Sequence, residues 1–167
     1  MTRARDVSTP TALVLLNTTT FSAVSSTSIN NVFSATYDNY KIILNYGGSV
    51  GAISRIKFRV GGVDNSTNYY TQSWTVSGGS GTGALEGPVT TGYAIGNHIA
   101  VNHIGSFEIG LPFLSTQPTT YFGYRAYSAD MQIRSGVHDV SASFDGFTVI
   151  PASGTFTGTI QVYGYKK

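Results

Sequence analysis

Apolar and polar side chains alternate along much of this chain. In "SRIKFRV", Ser54 to Val60, the residues Ile56, Phe58 and Val60 take one set of alternate positions and Arg55, Lys57 and Arg59 the other. Successive side chains of an extended chain point to opposite faces, so this two-residue period predicts a half-buried strand with its apolar set inward. The same rhythm in "GTIQVYGYKK", Gly158 to Lys167, sets Ile160, Val162 and Gly164 against Thr159, Gln161, Tyr163 and Tyr165, with Lys166 and Lys167 as overhang. Further strands are expected at Ala12–Leu16, Tyr40–Tyr46, Tyr69–Val76, His98–Val101, Ser106–Leu111, Thr120–Tyr127, Met131–Val137 and Phe147–Ile150. Helical periodicity is lacking, apart from a possible single turn around Ser28 to Val32. Many short strands separated by Gly, Asn, Asp, Ser and Pro predict an all-β protein, a jelly-roll-like antiparallel β-sandwich.

Two segments qualify this reading. "VSGGSGTGALEG", Val76 to Gly87, is rich in glycine and reads as a long surface loop dividing the strands into two groups. "ATYDNYKII", Ala35 to Ile43, and "ASFDGFTVI", Ala142 to Ile150, share one pattern of small, aromatic, acidic and β-branched residues. Asp-Asn and Asp-Gly tolerate positive φ, so each copy is expected to turn there and enter a strand at equivalent corners of two facing sheets. The organisation expected is an extended N-terminal arm over residues 1–10 and one sandwich domain over residues 11–167.

Composition shapes the surface. Hydrophobic residues make up 41% of the 167 and charged residues only 11%, so the exterior is built largely from Thr, Ser, Asn, Gly and Tyr. A formal net charge of +2, with no basic run longer than two, argues against nucleic acid as a partner. Cysteine is absent, which excludes disulfides and thiolate metal sites. The apolar run Ala12 to Leu16 is too short for the core of a secretion signal, and no segment approaches the ~20 residues of a spanning helix, so membrane insertion is not expected.

Reactive chemistry finds little support. No G-x-S-x-G elbow presents a serine, and the phosphate-binding pattern ending in Gly-Lys-Ser/Thr is missing. His98 and His103 fall on opposite faces if one strand joins them, which disfavours joint metal ligation, and His138 beside Asp139 reads as a turn residue with a capping or solvent role. The glutamates are Glu86 and Glu108, and nothing in their spacing suggests a glycosidase pair. "DNSTN", Asp64 to Asn68, spaces oxygen side chains as a calcium loop does but lacks its Gly and Glu, so a turn is expected. No catalytic residue, metal or cofactor is expected. Two surfaces stand out instead. Tyr70, Gln72 and Trp74 share one strand face, which reads either as a platform for a glycan or partner, or with Trp74 as core filling; the core reading is preferred. Arg55, Lys57 and Arg59 form a basic stripe that either meets an acidic partner or, as preferred, is a solvated face that discourages edge pairing.

The segments "TALVLLNTTTFSAVSSTSINNVFSATYDNYKIIL", "IGLPFLSTQPTTYFGY" and "SFDGFTVIPASGTFTGTIQVYGYKK" together resemble small β modules of tailed-bacteriophage virion proteins, often found at the C-terminal ends of tail-fibre and minor tail proteins. "MTRARD" resembles the opening of phage fibre proteins whose first residues attach to the particle. The resemblance implies a non-enzymatic virion structural protein, made in the bacterial cytoplasm, trimeric, and docked to other virion proteins through Arg3, Arg5 and Asp6. It is compatible with a tail-fibre-like module, with capsid decoration as a cement or head-fibre protein, or with a module recognising host-surface glycan.

Overall fold

The computed structural model describes residues 13–98, 103–127 and 130–167. Thirteen strands run in chain order: β1 Leu13–Val24, β2 Thr27–Ile29, β3 Asn39–Gly48, β4 Ala52–Val60, β5 Val63–Asp64, β6 Tyr69–Ser77, β7 Ser80–Val89, β8 Tyr93–His98, β9 His103–Gly110, β10 Thr119–Tyr127, β11 Asp130–His138, β12 Gly146–Pro151 and β13 Phe156–Tyr165. They form two antiparallel sheets. The larger has the order β1-β13-β3-β9-β10-β11-β6-β7; the smaller has β2-β12-β4-β5, with β8 also paired to β4.

This order contains a jelly roll. The quartet β1-β13-β3-β9 faces the quartet β2-β12-β4-β8, and the chain crosses between them as a winding pair of Greek keys does. Two hairpins are inserted into that winding. One, β6–β7, follows β5, and the other, β10–β11, follows β9; together they widen the large sheet by four strands.

The core lies between the quartets because their alternating apolar sets point at each other. Tyr40, Ile42, Leu44 and Tyr46 from β3, Phe107 and Ile109 from β9, and Ile160 and Val162 from β13 meet Ile56 and Phe58 from β4 and Phe147 and Val149 from β12. Phe33, on the segment before β3, packs on Tyr40, Phe58 and Phe147 at ring-centroid distances of 4.7, 6.3 and 5.7 Å. Three of the buried phenols are paired to backbone, which offsets their cost of burial. Tyr69 Oη donates to Asn65 O at 2.9 Å and accepts from Phe58 N, Tyr93 Oη donates to Thr119 O at 3.0 Å, and Tyr40 Oη donates to Ser34 O at 2.9 Å. Burial pushes the Tyr69, Tyr93 and Tyr121 phenols above their ordinary range.

Several expectations change. The glycine-rich stretch Val76–Gly87 is not a loop: it is the body of the β6–β7 hairpin, turning at Gly78 and Gly79 with φ of 56° and 84°. Positive φ at both central residues is what a two-residue turn matched to strand twist demands, and glycine supplies it. Ser28 belongs to a strand, with no helical turn around it. Val60 does not face inward but is 45% exposed at the end of β4. The two related segments do lead into strands of opposite sheets, β3 and β12, and bury equivalent aromatics, Tyr40 and Phe147. Their acidic residues do not turn with positive φ. Asp145 instead offers its backbone oxygen to the N–H groups of Val32 and Phe33 at 2.9 and 3.1 Å, and Asp38 offers its own to Leu111 N at 2.7 Å. The expected strand at His98–Val101 falls mostly outside the described residues, as does the arm of residues 1–10.

Candidate interaction surface

The four inserted strands carry the feature that distinguishes this molecule. On β10 the residues facing the interior are Tyr121, Gly123 and Arg125, while Phe122, Tyr124 and Ala126 face out; on β11 Gln132 and Arg134 face in, while Met131 faces out. Tyr121 keeps the usual polarity of a sandwich strand, and toward the hairpin tip, at Arg125, Gln132 and Arg134, that polarity is reversed. Arg125 and Arg134 are buried, with Arg125 Nη1 3.5 Å from His103 Nδ1 and Arg134 Nη2 3.4 Å from Gln132 Oε1.

Register aligns the outward residues into rows. Trp74 stands opposite Ile133, and Ile133 opposite Tyr124; Gln72 stands opposite Ser135, and Ser135 opposite Phe122; Val76 pairs with Met131, Met131 with Ala126, and Ala126 with Ile104. Among the described residues, six of the twelve large hydrophobic side chains that remain exposed lie on this face: Trp74, Leu85, Ile104, Phe122, Tyr124 and Met131. Scattered exposed apolar residues need no explanation, but a contiguous group of this size does.

Trp74 is 52% exposed, so the preferred expectation that it fills the core is overturned. Its indole lies over the glycines of β7. A Cβ built at Gly81 would come within 2.6 Å of Trp74 Cζ2, and one at Gly83 within 3.3 Å of Cε3. Glycine therefore lets the ring lie along the sheet, where it covers β7 backbone and leaves apolar area open to solvent. Tyr70 and Gln72 do not line up with Trp74 around one cavity; they border a shallow groove with Leu85, Ser135, Gly136 and Val137. At the margin of the face, Tyr165 Oη donates to Glu108 Oε1 at 2.5 Å, and Lys41 Nζ lies 3.8 Å from the same oxygen. Burial and the neighbouring Glu108 carboxylate push the Tyr165 phenol up to about 12.

The basic stripe occupies the outer face of the small sheet, and each of its side chains is engaged. Arg59 Nη1 donates to Asp64 Oδ1 at 2.7 Å and to Ser28 Oγ at 2.6 Å, Nη2 contacts Gly62 O, and Thr148 Oγ1 donates to the same Asp64 oxygen at 2.6 Å. Lys57 Nζ donates to Ser66 Oγ at 2.9 Å and Arg55 Nη1 to Gly92 O at 3.3 Å. Arg59 is thereby neutralised and part of the structure. Arg55 and Lys57 border an open hollow with Thr91, Ile150, Pro151 and Ala152.

His138 is neither a cap nor a solvent residue. It is fully buried, stacked on Tyr69 at 4.1 Å and packed against Phe144 and Phe58, and its Nε2 lies 2.9 Å from Thr67 O and 3.1 Å from Asn65 Oδ1. Both are acceptors, so Nε2 carries the proton of a neutral ring, and burial lowers the imidazole to about 4. Asn65 Oδ1 also accepts from Thr67 N at 3.1 Å, closing the turn expected at Asp64–Asn68. Among the described residues no three His, Asp or Glu side chains gather closely enough to hold a metal ion. Arg3, Arg5 and Asp6 lie outside the described residues.

Phe122, Tyr124, Met131, Leu85 and Ile104 were not singled out from sequence, although their alternation is visible in it. Alternation tells which residues share a face, not which face is inside. No protein family and no curated protein sequence matches this chain.

Proposed function

We propose that this protein is a non-enzymatic structural component of a tailed-bacteriophage virion, a homotrimeric jelly-roll module of tail-fibre type displayed on the particle and attached through residues 1–10. Arg3, Arg5 and Asp6 make the docking contacts. The observation that supports a contact role is the uncharged aromatic face of the widened sheet, whose composition matches the centre of a protein interface and not that of a solvated surface. Capsid decoration is the other placement for the same module, and copy number per particle separates the two: hundreds for decoration, a small multiple of the trimer for the tail. Deleting residues 1–10 is expected to abolish incorporation into particles while leaving the melting curve of the sandwich unchanged. Normal incorporation of the truncated chain would refute the docking role.

A second reading, recognition of host-surface glycan, draws on one observation: the half-exposed indole of Trp74 beside the groove of Tyr70 and Gln72. Sugars stack on such rings while amides and phenols take their hydroxyls. It predicts that Trp74→Ala reduces adsorption to host cells with a stability loss of no more than about 1 kcal/mol, as befits a half-exposed side chain.

A further inference from the structure

We infer that the outer face of strands β9, β10, β11, β6 and β7 is where copies of this chain meet, each covering the face of another. This assignment rests on the oligomeric reading proposed above and names the surface that reading needs.

Three observations converge on a second copy as the occupant. First, polarity is reversed toward the tip of the β10–β11 hairpin, while Phe107, Ile109 and Tyr121 still face the core. Gln132, Arg134 and Arg125 are buried toward the interior, whereas Met131, Phe122 and Tyr124 are directed outward and are 44–51% exposed. Strands of a stable sheet direct their apolar set toward a cover. Among the described residues none covers this side, because the small sheet lies on the opposite face of the large one.

Second, the area is right. Six large side chains, each roughly half exposed out of about 200 Å² apiece, offer on the order of 600 Å². Val76, Ile133 and Ala126, set among them by register, bring this toward the ~800 Å² that each partner contributes to an interface of standard size.

Third, the face is self-compatible. Its rows from Trp74 to Tyr124 and from Gln72 to Phe122 contain no charged side chain on β6, β11 and β10; the second row continues on β9 to Glu108, opposite Phe122, and that carboxylate lies 3.8 Å from Lys41 Nζ of β3. A face that copies of one chain bring together about a shared symmetry axis cannot carry uncompensated charge without repulsion, and here the Glu108 carboxylate is offset by Lys41. A charged partner would find only Glu108, which Lys41 already engages. A glycan would find hydroxyl partners only around Gln72 and Ser135, leaving Met131, Phe122 and Ile104 uncovered.

The test is the mass of the full chain in solution, by sedimentation equilibrium over a range of micromolar concentrations. Wild type is expected to be a defined oligomer. The double variant Trp74→Lys with Phe122→Lys places two cations in the centre of the contact and is expected to weaken association at least ~100-fold, giving monomers. Both side chains are half exposed in the single chain, so the variant keeps its strand content; Met131→Lys is the milder companion should the double variant not fold. The control is Val63→Lys, on β5 of the small sheet and 71% exposed, which is expected to leave the mass unchanged.

A monomeric wild type, a double variant with wild-type mass, or dissociation of Val63→Lys to the same extent would overturn the assignment. Monomeric wild type that binds glycan through Trp74 would assign the face to the sugar. Particle incorporation of the arm-deleted chain is scored separately, so the virion reading can fail while this one stands.

Discussion

Acidification tests the interior of this molecule through a single side chain. His138 is buried among Tyr69, Phe58 and Phe144, with Nε2 donating to the Thr67 carbonyl, and its neutral form is the one the site accepts. Its folded value of about 4 lies below the ordinary imidazole value of 6.5. Between those limits the unfolded chain binds more protons than the folded one. Stability from this group is therefore fully present above pH ~6.5, is lost as pH falls, and stops falling below pH ~4, where the folded state also protonates. The shift corresponds to roughly 3 kcal/mol in total, of which about 2.5 kcal/mol is lost by pH ~4.5. That is a large fraction of the stability of a typical domain. Urea unfolding at neutral and acidic pH, on wild type and on His138→Gln, isolates the effect. Glutamine can still donate toward Thr67 O but does not titrate, so the variant is expected to lose about 2.5 kcal/mol less than wild type over the same pH range. Proton NMR of the ring gives the folded value directly. Parallel pH profiles for the two proteins, or a His138 resonance titrating near 6.5, would show that burial of this ring does not couple folding to pH.

Three further outcomes are expected. Gly146→Ala places a Cβ 2.2 Å from Ile29 O, so β2 must part from β12; a loss of at least ~2 kcal/mol and a lowering of Tm by several degrees are expected in a thermal melt. Phe33→Ala removes a ring packed on Tyr40, Phe58 and Phe147 and should cost about 3–5 kcal/mol in chemical denaturation. Arg59→Ala and Asp64→Asn each break the same partly buried network, so a double-mutant cycle should show a coupling of about 1 kcal/mol or more, where independent, additive losses would contradict the geometry.

Much of the architecture was readable one residue at a time. β4 and β13 follow directly from alternation, because a two-residue period has only one regular backbone to match it, and Ile56, Phe58, Ile160 and Val162 are buried as that period requires. The kinship of Ala35–Ile43 and Ala142–Ile150 placed two strand entries in opposite sheets. The β6–β7 hairpin was not readable in the same way. Gly78-Gly79 and the alternating glycines of β7 signal flexibility in isolation, and only Trp74 lying across Gly81 and Gly83 shows that those glycines make room for a ring.

The order of residues alone specifies an all-β chain, the position of most strands and which side chains share a face, since these follow from local backbone geometry. Which face is inside depends on packing between the sheets. On β10 and β11 Arg125 and Arg134 go in while Phe122, Tyr124 and Met131 stay out, and His138 goes to the core instead of to a turn. The reason is that a strand has two faces but no memory of direction. Inside and outside are assigned by what packs across it, and over the inserted hairpins the described residues leave the apolar side open.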